Sequence, residues 1–262
     1  MESLRKYGER PYSVVVLHGG PGTPGEMAPV ARRLARTHGV LEPLQTEPGL
    51  EEQLQALKDA LLAEADLPVR LVGHSWGAML AFIFTARNPS MVDRLIMVSS
   101  AVFADSYAAD VFRTRAGRLT AEETEEVSGL LRALGDPCVP DKDRVFAELG
   151  TYIRRADSLD LLSYKDEVTD YRYDVYERVW GDAAGFRSSG GLLELAGKIR
   201  CPVVAIHGDY DPHPAAGVIK PLSPVLKDLR FILLEECGHE PWLERRAHRE
   251  FFDVLERELR DG

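Results

Sequence analysis

The sequence predicts an α/β fold: a mostly parallel sheet with helices on both faces and a helical cap inserted between two of its strands. Three observations carry this. Short apolar runs, among them Val14-Val15-Val16-Leu17 and Val69–Val72, stop at glycine-rich turns, as strands buried on both faces do. Segments with apolar residues at helical spacing alternate with those runs, the pattern of β-α-β units. From 103 to 197 the alternation stops and only helical patches remain.

In chain order, Val14–Leu17 is the first buried strand, ending at His18-Gly19-Gly20-Pro21-Gly22. Met27, Val30, Ala31, Leu34 and Ala35 fall on one helical face, and Val40–Gln45 is a poor strand pattern. Leu50, Leu54, Leu57 and Leu61 mark a second amphipathic helix. Val69–Val72 is a strand, and Trp76–Arg87 a nearly all-apolar helix closed by Asn88-Pro89. Leu95–Val98, Val203–Ile206 and Phe231–Leu234 are further strands. Ala247, Phe251, Val254, Leu255 and Leu259 form a closing helix. The expected division is a core of 1–102 and 198–262 with a helical cap at 103–197, including helices over Ala121–Leu134 and Asp143–Arg155. The cap holds 19 acidic against 12 basic residues, and so most of the net charge of −10.

Composition sets aside several function classes. Nucleic-acid binding calls for a basic cluster, and none occurs. No apolar run is long enough to span a membrane. The start, MESLRKYGERPYS, lacks the apolar stretch of a signal peptide. Cys138, Cys201 and Cys237 are scattered and lack metal-site spacing, which reads as reduced thiols in a cytoplasmic protein. The expectation is a monomer or homodimer acting on a small molecule or short peptide, with no metal and no organic cofactor.

Gly73-His74-Ser75-Trp76-Gly77 places a serine between two glycines, between a strand and a helix. A nucleophile at such a junction must turn sharply to project its Oγ above the sheet edge, and small flanking residues relieve the crowding. A serine hydroxyl needs a base, and the base an orienting acid. His239 follows the strand Phe231–Leu234, and Asp211 follows Val203–Ile206, with Asp209 its rival. Loops beyond the carboxyl ends of parallel strands converge on one edge. Cys237 is a possible thiol nucleophile, weaker in setting than Ser75. His74 is expected to point away, His18 to be a structural donor, His207 to be a satisfied core residue, and His38, His213 and His248 to lie on the surface or in loops. An oxyanion needs two fixed N–H donors. Trp76 and Gly20 are the candidates, since Pro21 has no N–H.

HGGPG at 18–22, GHSWG at 73–77, HGDYD at 207–211 and CGHEPWLE at 237–244 resemble the loops of the α/β-hydrolase fold family, in its proline iminopeptidase-type branch. The resemblance implies a Ser75–His239–Asp211 triad, with Asp211 as the acid, and a lid at 103–197. It departs from the branch in its short N-terminus, which leaves the first two strands missing or reduced to one. The Tyr173–Trp180 stretch is only loosely similar to the branch's tryptophan-rich acidic motifs. The implied reaction is hydrolysis of an ester or amide through an acyl-enzyme. An aminopeptidase, a carboxylesterase or lactonase, a carbon–carbon hydrolase and a non-catalytic ligand-binding protein stay open.

Overall fold

The computed structural model describes residues 3–260. The strands are β1 (Leu4–Tyr7), β2 (Tyr12–Leu17), β3 (Gly39–Pro43), β4 (Val69–His74), β5 (Val92–Val98), β6 (Val203–Gly208) and β7 (Leu229–Leu234). They form one sheet in the order β1-β3-β2-β4-β5-β6-β7. Every pairing is parallel except β1 with β3. Helices α1 (Ala28–Leu34), α2 (Leu50–Glu64) and α3 (Trp76–Arg87) lie between the early strands. Between β5 and β6 come α4 (Ala108–Ala116), α5 (Ala121–Gly135), α6 (Lys142–Asp157), α7 (Tyr173–Ser188) and α8 (Gly191–Ala196). Helices α9 (Ala216–Leu222) and α10 (His248–Arg260) complete the chain.

Alternation along the strands divides the core into two layers. Val15, Leu17, Leu71 and Met97 face α2 and α3, whereas Val14, Val16, Val72, Ile96 and Val98 face α1 and α10. This two-sided burial explains why β2 and β4 read as nearly continuous apolar runs. Helix α3 is apolar all round because it is buried from Trp76 to Ala86.

The C-terminal part of the insertion is tied to the core. Val175, Val179, Ala183, Leu192 and Leu195 of α7 and α8 join the α2–α3 layer. Leu134, Val145, Phe146 and Leu149 form a separate small cluster between α5 and α6.

The weak pattern at Val40–Gln45 is a fully buried strand, β3. Its Glu42 is a charged residue inside a sheet. Tyr7 donates its hydroxyl to that carboxylate at 2.7 Å, and Arg5 lies 3.6 Å away. Both partners come from β1, which pairs antiparallel to β3 along Leu4–Tyr7. Among the described residues β1 is the single strand ahead of β2.

Candidate active site

Strand β4 ends at His74, and Ser75 turns the chain into α3 with φ 50° and ψ −113°. A positive φ on a non-glycine residue stores about 1–3 kcal/mol of strain. Two neighbours make the turn possible. A Cβ on Gly73 would strike the Gly77 carbonyl, and one on Gly77 would strike the carbonyls of Leu17 and His18. The Ser75 N–H donates to Val98 O at 2.9 Å, which fixes the turn to β5. The Trp76 N–H opens α3, where the helix dipole favours negative charge. The Trp76 indole is fully buried and donates to Gln53 Oε1 at 3.1 Å.

The loops after β6 and β7 meet beside this turn. His239 Nδ1 donates to Asp211 Oδ2 at 2.8 Å. The Asp211 side chain is wholly buried and that of His239 is 12% exposed. Asp209 is exposed and takes another role: its Oδ1 accepts the Cys237 N–H at 3.1 Å. Burial works against the Asp211 carboxylate, but the His239, His207 and His213 imidazoles hold it well below the usual carboxylate range. Burial would also push His239 down. The Asp211 charge outweighs burial and raises His239 to about 9.

Two histidines, His213 and His74, depart from expectation, whereas His207 is the satisfied core residue expected. His213 is buried, and both its N–H and its Nδ1 contact Asp211 Oδ1, at 2.8 and 2.9 Å. Its ring stacks on His239 with centroids 4.6 Å apart. Burial pushes it down to about 4 despite the carboxylate, so it is neutral at pH 7. The signal was the spacing Asp211-Pro212-His213, a two-residue return that periodicity does not register. His207 donates through Nε2 to the His213 carbonyl at 2.7 Å. His74 does not point away: its Nε2 donates to the His239 carbonyl at 2.9 Å, and the two ring centroids lie 4.8 Å apart.

In the glycine loop, His18 Nδ1 donates to Gly19 O at 2.7 Å while its Nε2 accepts the Gln45 N–H at 3.1 Å. Gly19 donates its N–H to Glu26 at 2.8 Å, and Pro21 has none to give. Gly20, at φ +30°, keeps its N–H, and its carbonyl is held by Thr23 N and Oγ1 at 3.0 and 2.8 Å.

Residues 157–172 brace both sides of the site. His239 N donates to Asp157 O at 2.9 Å, and Arg172 N donates to Gly22 O at 2.9 Å. Arg115 of α4 holds the Asp157 carboxylate through two bonds of 2.7 and 2.6 Å. Arg118 donates to Ala156 O and Tyr210 O at 2.8 and 2.7 Å.

Cys237 is buried and its thiol is pushed far up by burial, then by Glu244 and Asp211, which removes it as a nucleophile. Asp211, His213 and His239 bring potential metal donors within 4.8 Å of one another. The His213 and His239 planes, however, lie 27° from parallel. An ion sits in the plane of each imidazole that binds it, and stacked rings share no such nearby point. The arrangement fits a hydrogen-bonded acid better than a metal centre.

A model of the alpha/beta hydrolase family matches residues 14–254. The chain belongs to the alpha/beta hydrolase family. It is an enzyme of the hydrolase class. Its relatives are distant and differ in reaction. It is 24% identical over 216 residues to a pimeloyl-[acyl-carrier protein] methyl ester esterase of Neisseria meningitidis serogroup C, covering 80% of this chain and 76% of that one. It is 24% identical over 277 residues to a proline iminopeptidase of Lactobacillus crispatus, covering 94% and 89%. Among solved structures, that of VinJ superposes with a TM-score of 0.64 at 21% identity, over 97% of this hydrolase and 94% of VinJ. Among the described residues no helix is long and apolar enough to cross a membrane.

Proposed function

We propose that the protein is a serine hydrolase that cleaves a small ester through an acyl-enzyme. The observation that carries the reading is the strained Ser75 turn beside the buried Asp211–His239 pair, joined through His74, which donates to the His239 carbonyl. Ser75 Oγ attacks the carbonyl carbon while His239 takes its proton. The tetrahedral oxyanion is held by the N–H groups of Gly20 and Trp76. His239 returns the proton to the leaving group, then activates water to release the acid. Asp211 orients His239 and stabilises the imidazolium. Residues 103–197 act as the cap over the substrate.

The choice of ester over a peptide N-terminus rests on charge. An aminopeptidase needs carboxylates facing the substrate ammonium. In α7, Asp174 and Glu177 are exposed, and they are engaged by Arg172 and the Tyr173 hydroxyl. The acids closer in are also taken: Asp157 by Arg115 and Glu240 by Arg154. The names of the relatives span both reactions, so sequence likeness does not decide between them.

The test compares a short-chain aryl ester with a prolyl anilide bearing a free amino terminus, with Ser75→Ala as control. The ester is expected to be cleaved faster, in a Ser75-dependent manner. Preferred cleavage of the anilide, lost on N-acetylation, would overturn the ester reading in favour of an aminopeptidase. Failure of the intact chain to react with a serine-directed phosphonate would point to a ligand-binding protein.

A further inference from the structure

Glu26 lies in the loop between the glycine turn and α1, and the mechanism above gives it no role. Its side chain is only 10% exposed. One carboxylate oxygen accepts the Gly19 N–H at 2.8 Å, the residue immediately before the Gly20 donor. The other lies 3.5 Å from His74 Nδ1, the residue immediately before Ser75. The opposite side of that ring, Nε2, donates to the main-chain carbonyl of His239 at 2.9 Å. One carboxylate thus hydrogen-bonds the oxyanion loop and packs at 3.5 Å, without a hydrogen bond, against Nδ1 of the His74 ring, whose Nε2 ties the nucleophile turn to the histidine loop.

The packing leaves little slack. A Cβ on Gly19 would run into both His74 Nδ1 and Glu26 Oε2. The His74 ring is fixed edge-on by Trp242 at 4.6 Å as well as by His239. The titratable and charged groups around Glu26 are His74, Arg154 of α6, His18 and Glu240. Burial opposes its ionisation, but His74, then Arg154 and His18, keep it well below the ordinary carboxylate range, so it stays an acceptor. Arg154 reaches this cluster from the insertion and donates to Glu240, next to His239, at 2.8 Å.

We propose that Glu26 is a positioning residue that sets the oxyanion loop and the catalytic histidine loop in register with each other. The inference rests on the serine-hydrolase reading above. Its effect falls on the transition state: a loop out of place by a fraction of an ångström still admits the substrate but aims the Gly20 N–H poorly at the oxyanion.

The experiment measures kcat and KM on the aryl ester, and the affinity of a matching trifluoromethyl ketone. Ser75 Oγ adds to the carbonyl carbon of that ketone while His239 takes the proton, which leaves an oxyanion in the hole. For Glu26→Ala, kcat is expected to fall about 10- to 100-fold, below the cost of removing a donor outright. KM should stay within about 3-fold while ketone affinity falls in parallel with kcat. Glu26→Gln keeps an oxygen for Gly19 and is expected to recover kcat to within about 5-fold of the parent, since a neutral acceptor still makes that hydrogen bond. If the truncated chain does not fold, Glu26→Met keeps the volume, removes both oxygens and gives the same readout.

Unchanged kcat in Glu26→Ala or Glu26→Met would overturn the inference. So would a loss of kcat without loss of ketone affinity, which marks a merely structural role. A parent chain inert to the ketone would overturn the serine-hydrolase reading itself, and the inference with it.

Discussion

Replacing Asp211 by Asn should move the pH profile of the enzyme as well as its rate. In the proposed mechanism His239 accepts the Ser75 proton only when neutral. Burial would hold its pKa down, but the buried Asp211 carboxylate at 2.8 Å outweighs this and raises it to about 9; Asp157 adds to the effect and Arg115 opposes it. With that value roughly 1% of the imidazole is neutral at pH 7 and half at pH 9, so kcat/KM should climb about 50-fold between them. The rise from 6.5 to about 9 corresponds to about 3 kcal/mol of preference for the imidazolium. Asp211→Asn keeps the shape and removes the charge. The midpoint should therefore drop by at least about two pH units, to about 6.5 or below because burial still opposes the imidazolium, and the plateau by about 10⁴-fold by analogy with other triads. The assay is kcat/KM on an uncharged aryl ester from pH 5.5 to 10, with the Ser75→Ala rate subtracted. A midpoint near 6.5 in both proteins would refute the argument, because Asp211 would then not govern the base.

The same shift carries a stability prediction. The folded pKa of His239 lies above its unfolded value, so its contribution is complete below pH 6.5 and is lost as pH rises towards about 9. In denaturant titrations the parent should lose up to about 3 kcal/mol relative to His239→Gln across that window. Gly22→Ala should cost about 2 kcal/mol or more, some 4–8 °C in Tm, because Gly22 sits at φ +84° and a Cβ would meet the Arg172 carbonyl. Arg115→Met strands the buried Asp157 carboxylate and should cost about 3–5 kcal/mol by chemical denaturation. Arg115→Met with Asp157→Leu should recover most of that loss.

Much of the candidate site was legible in the sequence because the chemistry that suggests it is local. Gly73 and Gly77 flank Ser75 for a steric reason that acts within one turn, and the apolar runs announce strands buried on both faces. Asp211 and His239 follow such strands, so topology alone brings their loops to one edge. What sequence did not show depends on contacts between distant segments. Strand β3 contains Glu42 and Pro43 and reads only as a poor strand until β1 supplies Tyr7 and Arg5 to that carboxylate. His213 read as a surface or loop residue, and its burial within the loop was hidden because nothing in a periodic pattern says that Asp-Pro-His folds back on its own aspartate. His74 was misplaced because its partner, the His239 carbonyl, lies 165 residues away. The brace from residues 157–172 was equally hidden, since its bonds run through main-chain groups that carry no side-chain signature.

Whether Ser75 is an activated nucleophile is tested most directly by a fluorophosphonate with peptide mass mapping. One equivalent of label is expected, on the peptide holding Ser75. No label is expected in Ser75→Ala, and labelling slowed by orders of magnitude in His239→Gln. Label on another residue, or the same slow rate in all three proteins, would contradict an activated Ser75.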